Sequence, residues 1–122
     1  MNIRINLRMN RIFVFGSNLA GRHGKGAALH ALKYYGAELG NGHGLQGNSY
    51  AIPTKDYYLR PLSVEYIKGF CEQFVEYARA HPHLEFDLTP VGCGLAGYTR
   101  EEIRPFFKDA PSNVYFTKEW DE

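Results

Sequence analysis

A chain of 122 residues, 44% hydrophobic and 22% charged, has the make-up of one globular domain with a single core, spanning residues 1–122. Its longest apolar runs are about five residues, which excludes a membrane-spanning helix and the apolar core of a secretory signal. Net charge is +1, but the first sixty residues carry eight basic and two acidic side chains while the rest carry six and eleven; this suits either a basic face for phosphate or nucleic acid, or halves that interleave and cancel.

In chain order, Ile3 and Ile5 alternate with Arg4 and Asn6, which fits a short edge strand or an unstructured lead. Arg11 to Phe15 is rich in β-formers and ends at Gly16, so a strand is expected there. Lys25 to Tyr35 reads as a helix rich in Ala and Leu, with Gly36 placed to close it. Gly40 to Asn48 has no hydrophobic period and reads as a long loop of the kind that serves a site or moves. Ser49 to Ile52 is a short predicted strand stopped by Pro53.

Ser63 is a good N-cap for a helix reaching about Ala80. Its stripe of Val64, Ile67, Cys71, Phe74, Val75 and Ala78 follows helical spacing. Leu84 to Thr89 is a further strand. Thr99 and Glu102 form a capping box for a helix through about Phe107, and Asn113 to Thr117 is the last strand. Strands alternating with helices predict an α/β fold: a mixed, mostly parallel sheet with helices on both faces, a three-layer α/β/α sandwich. The loops after Phe15, Ile52 and Thr89 all lie at carboxyl ends of strands, where such sheets hold ligands.

The chemistry concentrates in the glycines, nine of thirteen of which lie between Gly16 and Gly47. Gly16-Ser17-Asn18 leads through Gly24-Lys25-Gly26 into a helix. An apolar strand emptying into such a turn presents backbone amides and a positive helix end to an anion. Gly16 to Gly21 has P-loop spacing, but Arg22-His23 stand where Lys and Ser/Thr are needed, which argues against NTP hydrolysis. Gly24-Lys25-Gly26 lacks the third glycine of a dinucleotide fingerprint. The bland alternative is a glycine-rich surface turn.

A second turn, Gly92-Cys93-Gly94-Leu95-Ala96-Gly97-Tyr98, has three glycines and opens into the capped helix. Two such turns facing each other would suit a diphosphate, each phosphate taking several amide hydrogen bonds with no bulky side chain between. Cys93 as a nucleophile lacks a base placed by sequence and reads better as a small packing residue. Lys55 beside Asp56 at a strand end suggests acid/base or nucleophilic work, or else a solvated pair on a turn. Tyr50, Tyr57, Tyr58 and Tyr98 fall near loops, where they could stack on a base or ribose or merely cover the sheet edge. No Cys/His spacing matches a zinc site, and two unpaired cysteines fit a reducing, cytoplasmic setting. Neither metal nor cofactor is expected.

Four segments together resemble the macrodomain family, in the branch of the terminal ADP-ribose protein glycohydrolases and DNA-ADP-ribosyl glycohydrolase antitoxins. They are Ile12-Phe-Val-Phe-Gly-Ser-Asn18; Gly24-Lys-Gly-Ala-Ala-Leu-His-Ala-Leu-Lys-Tyr-Tyr-Gly36; Ile52-Pro-Thr-Lys55; and Pro90-Val-Gly-Cys-Gly-Leu-Ala-Gly97 with Glu102 and Pro105. The likeness covers roughly residues 11–117, and the whole chain is also similar to short phage-encoded macrodomain-like proteins, whose setting would be a bacterial host cell.

The resemblance implies a macrodomain-like sandwich that binds ADP-ribose or a related diphosphate nucleotide. It places Gly24, Lys25 and Gly26 at the distal ribose and phosphate, and Gly92, Gly94, Leu95 and Ala96 at the diphosphate. It makes Asn18 a ribose contact and Lys55 the lysine that removes ADP-ribose from DNA or protein, by attack on the anomeric carbon. The chain departs from the family at Ala96 and Ala28, where its glycohydrolases carry catalytic Asp residues, and no adenine-reading Asp is evident before Arg11. Ligand binding therefore transfers better than hydrolysis. The alternatives are a non-catalytic phage protein that sequesters a nucleotide immune signal, and a nucleic-acid-binding module built on the basic first half.

Overall fold

The computed structural model describes residues 11–122. Five strands and three α-helices follow in order: β1 (Arg11–Asn18), α1 (Gly26–Tyr34), β2 (Gly44–Gln46), β3 (Ser49–Lys55), α2 (Val64–Ala80), β4 (Glu85–Leu88), α3 (Arg100–Ile103) and β5 (Val114–Phe116). The strands form one sheet in the order β2-β3-β1-β4-β5. β1 runs parallel to both β3 and β4, β4 runs parallel to β5, and only β2 is antiparallel. The fold is thus the expected mixed, mostly parallel α/β sandwich. The expectation for residues 1–10 lies outside the described residues.

Alternation along β1 decides which layer covers which face. Ile12 and Val14 join Tyr50, Ile52, Phe86 and Leu88 in a core closed by α2, Ile103 and Phe107. Phe15 and Ala51 point the other way, against Ala28 and Ala31 of α1. Residues two apart on a strand share a face, so one strand serves both layers. In α2, five of the six predicted stripe positions are buried; Val64, in the first turn, is half-buried.

Three boundaries differ from expectation, each for a long-range reason. β1 continues past Gly16 to Asn18 because β3 offers pairing partners as far as Lys55. β3 runs through Pro53 rather than stopping at it: β2 ends its pairing at Gly44↔Ala51, so Pro53 sits where no strand on that side needs its missing N–H. The loop from Gly40 to Asn48 contains β2, whose one apolar residue, Leu45, is exposed and so leaves no hydrophobic pattern to read. The predicted last helix also splits. α3, closed by its capping box, passes into a 3-10 turn at Arg104–Phe107, where Pro105 has no N–H to give an α-helical bond.

Past β5, a short 3-10 turn spans Lys118–Asp121. Its Trp120 is buried against Phe107 and Phe116, and the indole N–H donates to Leu88 O at 2.8 Å. The chain after the last strand is therefore pinned back onto β4. Among the described residues no helix is long and apolar enough to cross a membrane.

Candidate functional site

The sheet order dictates where a crevice opens. The chain leaves β1 for α1 on one face of the sheet, and leaves the neighbouring β4 for α3 on the other face. Two loops that diverge from adjacent parallel strands leave a gap beyond the strands' carboxyl ends. A cavity of about 740 Å3 occupies that gap, well within the range of roughly 300–1,000 Å3 that suits a small-molecule site.

The two glycine turns meet here. A Cβ on Gly16 would lie 3.3 Å from Gly92 N and 3.5 Å from Val91 Cα, so the end of β1 and the loop after β4 touch backbone to backbone. Thr54 fills the angle between them: its hydroxyl donates to Ser17 O at 3.2 Å, and its methyl lies 3.6 Å from where a Gly92 Cβ would stand. Gly92 itself has φ +78°, a conformation in which a side chain is strained.

Hydrogen bonding shows what the turns offer. Within the second turn the amides of Cys93, Gly97 and Tyr98 donate to local carbonyls, but those of Gly92, Gly94, Leu95 and Ala96 have no protein acceptor among the described residues. Opposite them, α1 starts at Lys25 with no side-chain cap and no acid in its first turn; its first backbone bond runs from Leu29 N to Lys25 O. By contrast, Ser63 caps α2 and a full capping box closes α3. The amides of Gly26, Ala27 and Ala28 therefore line the cavity beside a positive helix end that no side chain neutralises. Such a pair of amide sets fits an extended anion.

The charged groups are unevenly placed around this gap. Arg22, Lys25 and Lys55 line it, with Glu119 as the one carboxylate on the wall among the described residues. Lys55, half-buried, ends β3 opposite Asn18 across an irregularity in the ladder, and its carbonyl accepts from Leu19 N at 3.0 Å. The suggested Lys55–Asp56 pairing is not made. Asp56 turns to Arg60 instead, accepting from Tyr58 N at 2.8 Å, Arg60 N at 2.9 Å and Arg60 Nε at 2.9 Å. The Arg60 amide leads the interactions that hold its carboxyl below the usual range.

Asn18 lies on the cavity wall but works on its own loop. Its Nδ2 donates to Arg22 O at 2.8 Å and its Oδ1 accepts from Arg22 N at 2.9 Å, so the carboxamide clasps the turn that delivers Arg22. Ser17 also lines the crevice, and its hydroxyl donates away from it, to Gly42 O. Gly16, Gly24, Gly94, Leu95 and Ala96 are on the wall too, and so are both alanines at the family's acidic positions, Ala28 and Ala96.

Three residues expected at the ligand stand elsewhere. Gly97 is off the wall, its amide donating to Gly94 O. Cys93 and Tyr98 line a separate recess of about 570 Å3 behind the turn, and the Tyr98 hydroxyl donates to Leu62 O at 2.6 Å, tying the turn to the segment before α2. Both cysteines are free. Burial pushes the Cys93 thiol up to about 11 and raises Cys71 further. A thiol shifted upward is un-ionised at neutral pH and a poor nucleophile. Iodoacetamide at pH 7.5 is expected to leave the native protein unmodified over the time in which it labels a small-molecule thiol, with labelling setting in only as the pH nears 11. Rapid labelling of Cys93 at pH 7.5 contradicts the shift.

The wall also holds residues that motif reading passes over. Phe13 and Thr89 are strand residues with no motif around them, and Leu59 and Glu119 sit in turns. No local signal marks them, because their place on the wall depends on which strands lie side by side. None of Tyr50, Tyr57, Tyr58 and Tyr98 lines the cavity: Tyr50 is buried against Phe74, and Tyr57 and Tyr58 are exposed. Among the described residues no group of three His, Cys, Asp or Glu side chains is placed to hold a metal ion.

Solved structures resemble this fold. DarTG of Thermosipho africanus, in complex with ADP-ribose, matches with a TM-score of 0.63 at 16% sequence identity, over 92% of this chain and 39% of that one. A protein of unknown function from Bacteroides thetaiotaomicron matches with a TM-score of 0.59 at 18% identity, over 88% of this chain and 87% of the other. This chain thus spans well under half the length of the DarTG chain, and at these identities the likeness is one of fold. No protein-family model matches the chain, and no curated protein does.

Proposed function

We propose that this protein binds ADP-ribose or a related diphosphate nucleotide in the crevice between β1 and β4. One observation carries the reading. Two turns poor in side chains are in backbone contact at Gly16 and Gly92, and each points unpaired amides into one cavity. A pyrophosphate laid there takes hydrogen bonds from Gly94, Leu95 and Ala96 on one side and from the first turn of α1 on the other, with Lys25 and Arg22 adding charge. The ADP-ribose held by DarTG, whose fold this chain shares, supports the choice of ligand.

In this reading Asn18 shapes the site by closing the Arg22 turn, with one amide hydrogen left for a ribose hydroxyl. Gly24 and Gly26 keep the entrance free of side chains, and Lys55 stands where the far sugar would end. Calorimetric titration with ADP-ribose is expected to show saturable binding and a rise in melting temperature at millimolar ligand. No heat and no rise would remove the proposal.

Removal of ADP-ribose from DNA or protein is the second reading, with Lys55 as nucleophile on the anomeric carbon. Against it stands the wall itself: no carboxylate among the described residues pairs with Lys55, and Ala28 and Ala96 put methyl groups where an acid would be needed. The geometry favours a protein that holds its nucleotide unchanged, as sequestration of a signal requires. Incubation with ADP-ribosylated DNA and protein is expected to release no ADP-ribose. Release that Lys55→Ala abolishes would establish hydrolysis instead.

A further inference from the structure

Glu119 is at odds with the rest of the crevice wall. Arg22, Lys25, Lys55 and the unpaired amides of both turns favour negative charge, whereas Glu119 sets a carboxylate into the same cavity. A carboxylate repels phosphate, so the part of a ligand beside it has to be neutral and gains if it donates a hydrogen bond. The turn carrying Glu119 is held in place. The Arg100 guanidinium donates to the Glu119 carbonyl, Trp120 bonds to Leu88 O, and Arg104 pairs with Asp121 at 3.3 Å.

The same part of the wall offers flat rings. Phe13 and His30 both line the cavity with ring centroids 5.2 Å apart, and Phe13 is backed by Tyr35 at 4.8 Å in a near-parallel stack. Phe13 lies beside Asp87 and Val14 beside Leu88 in the β1–β4 ladder, so the aromatic wall adjoins the strand onto which the Glu119 turn is pinned. Lys55 belongs to the other side, because β1 and β4 separate β3 from β5.

We infer that Glu119 is a specificity-determining residue that accepts a hydrogen bond from the exocyclic amino group of the ligand's base, with the base laid against Phe13 and His30. This rests on the proposal that a diphosphate nucleotide fills the crevice. It also sets the ligand's direction: adenine at Glu119, diphosphate on the amides, and the remaining sugar toward Lys55. The base is thus read by a carboxylate from the turn after the last strand.

The test compares ADP with purine riboside diphosphate, which lacks only the amino group, by calorimetry on the wild-type protein and on Glu119→Ala. Glu119 is exposed and its side chain supports no core contact, so the variant is expected to melt with the wild type. Wild-type protein is expected to prefer ADP by about tenfold, the scale of one hydrogen bond to a charged acceptor at an open site. In Glu119→Ala the preference is expected to fall to within about twofold. Affinity for both probes is expected to rise together, since a like charge has gone. The ratio carries the test, because loss of general structure would weaken both probes alike. Equal binding of the two probes by the wild type, or a preference that survives Glu119→Ala, overturns the assignment and leaves nucleotide binding standing. Failure of ADP and ADP-ribose alike to bind the wild type overturns both.

Discussion

Gly42→Ala is expected to lower the melting temperature by about 10 °C or more. A Cβ at that position would lie 1.9 Å from Asn18 O and 2.9 Å from Asn18 C, which no rotamer can relieve because every atom involved is backbone. The segment cannot step aside cheaply. Ser17 donates to Gly42 O, Gly40 N donates to Gly21 O at 2.9 Å, and the buried His23 ring lies 3.1 Å from Asn41 O. Moving the loop breaks that set together, a cost of about 3 kcal/mol or more, and each kcal/mol is worth about 4 °C in a domain of this size. Gly40→Ala supplies the comparison: its φ of +85° is strained, but its Cβ meets nothing within 4 Å, so about 1 kcal/mol is expected. Melting curves that place the two variants together would show that the loop does not pack on β1 as described. The same displacement would also slacken the Asn18–Arg22 clasp and carry Arg22 away from the crevice.

The second large effect is on binding and leaves stability alone. Gly94→Val is expected to weaken ADP-ribose binding by about 100-fold or more while shifting the melting temperature by less than about 2 °C. Gly94 has ordinary backbone geometry and its Cβ would meet no atom within 4 Å, so the folded protein tolerates a side chain. The space that side chain takes is the cavity's. A phosphate held off the Gly94, Leu95 and Ala96 amides loses at least two charge-assisted bonds of roughly 1.5–3 kcal/mol each. Gly69→Ala, in the middle of α2 and away from the crevice, is the control: its Cβ is equally free, and the helix gains up to about 1 kcal/mol. If Gly94→Val binds ADP-ribose like the wild type, the second turn does not hold the diphosphate.

Much of this architecture is legible before folding is considered. The stripe from Ile67 to Ala78 follows helical spacing and is buried; Ser63 and Thr99 sit where side-chain oxygens are needed and do cap their helices. These readings succeed because each rests on interactions within a few residues. The misses share the opposite property. β2 exists only because Leu45 and Gln46 find Tyr50 and Ser49 across a hairpin, and Pro53 is harmless only because β2 has already ended. Asp56 adjoins Lys55 in sequence, yet the closing of its own turn hands it to Arg60.

The site divides along the same line. Local order in the chain was enough to mark two glycine turns at strand ends, with Lys55 at a third, since a run without side chains between a strand and a helix has few other uses. It could not say which amides would stay unpaired, that Tyr98 would tie down the turn rather than line it, or that Glu119 would arrive from beyond β5. Those depend on partners brought together from distant parts of the chain. A hydrogen bond or a repulsion is settled by what stands within a few ångströms, and only the packed sheet sets those neighbours in place.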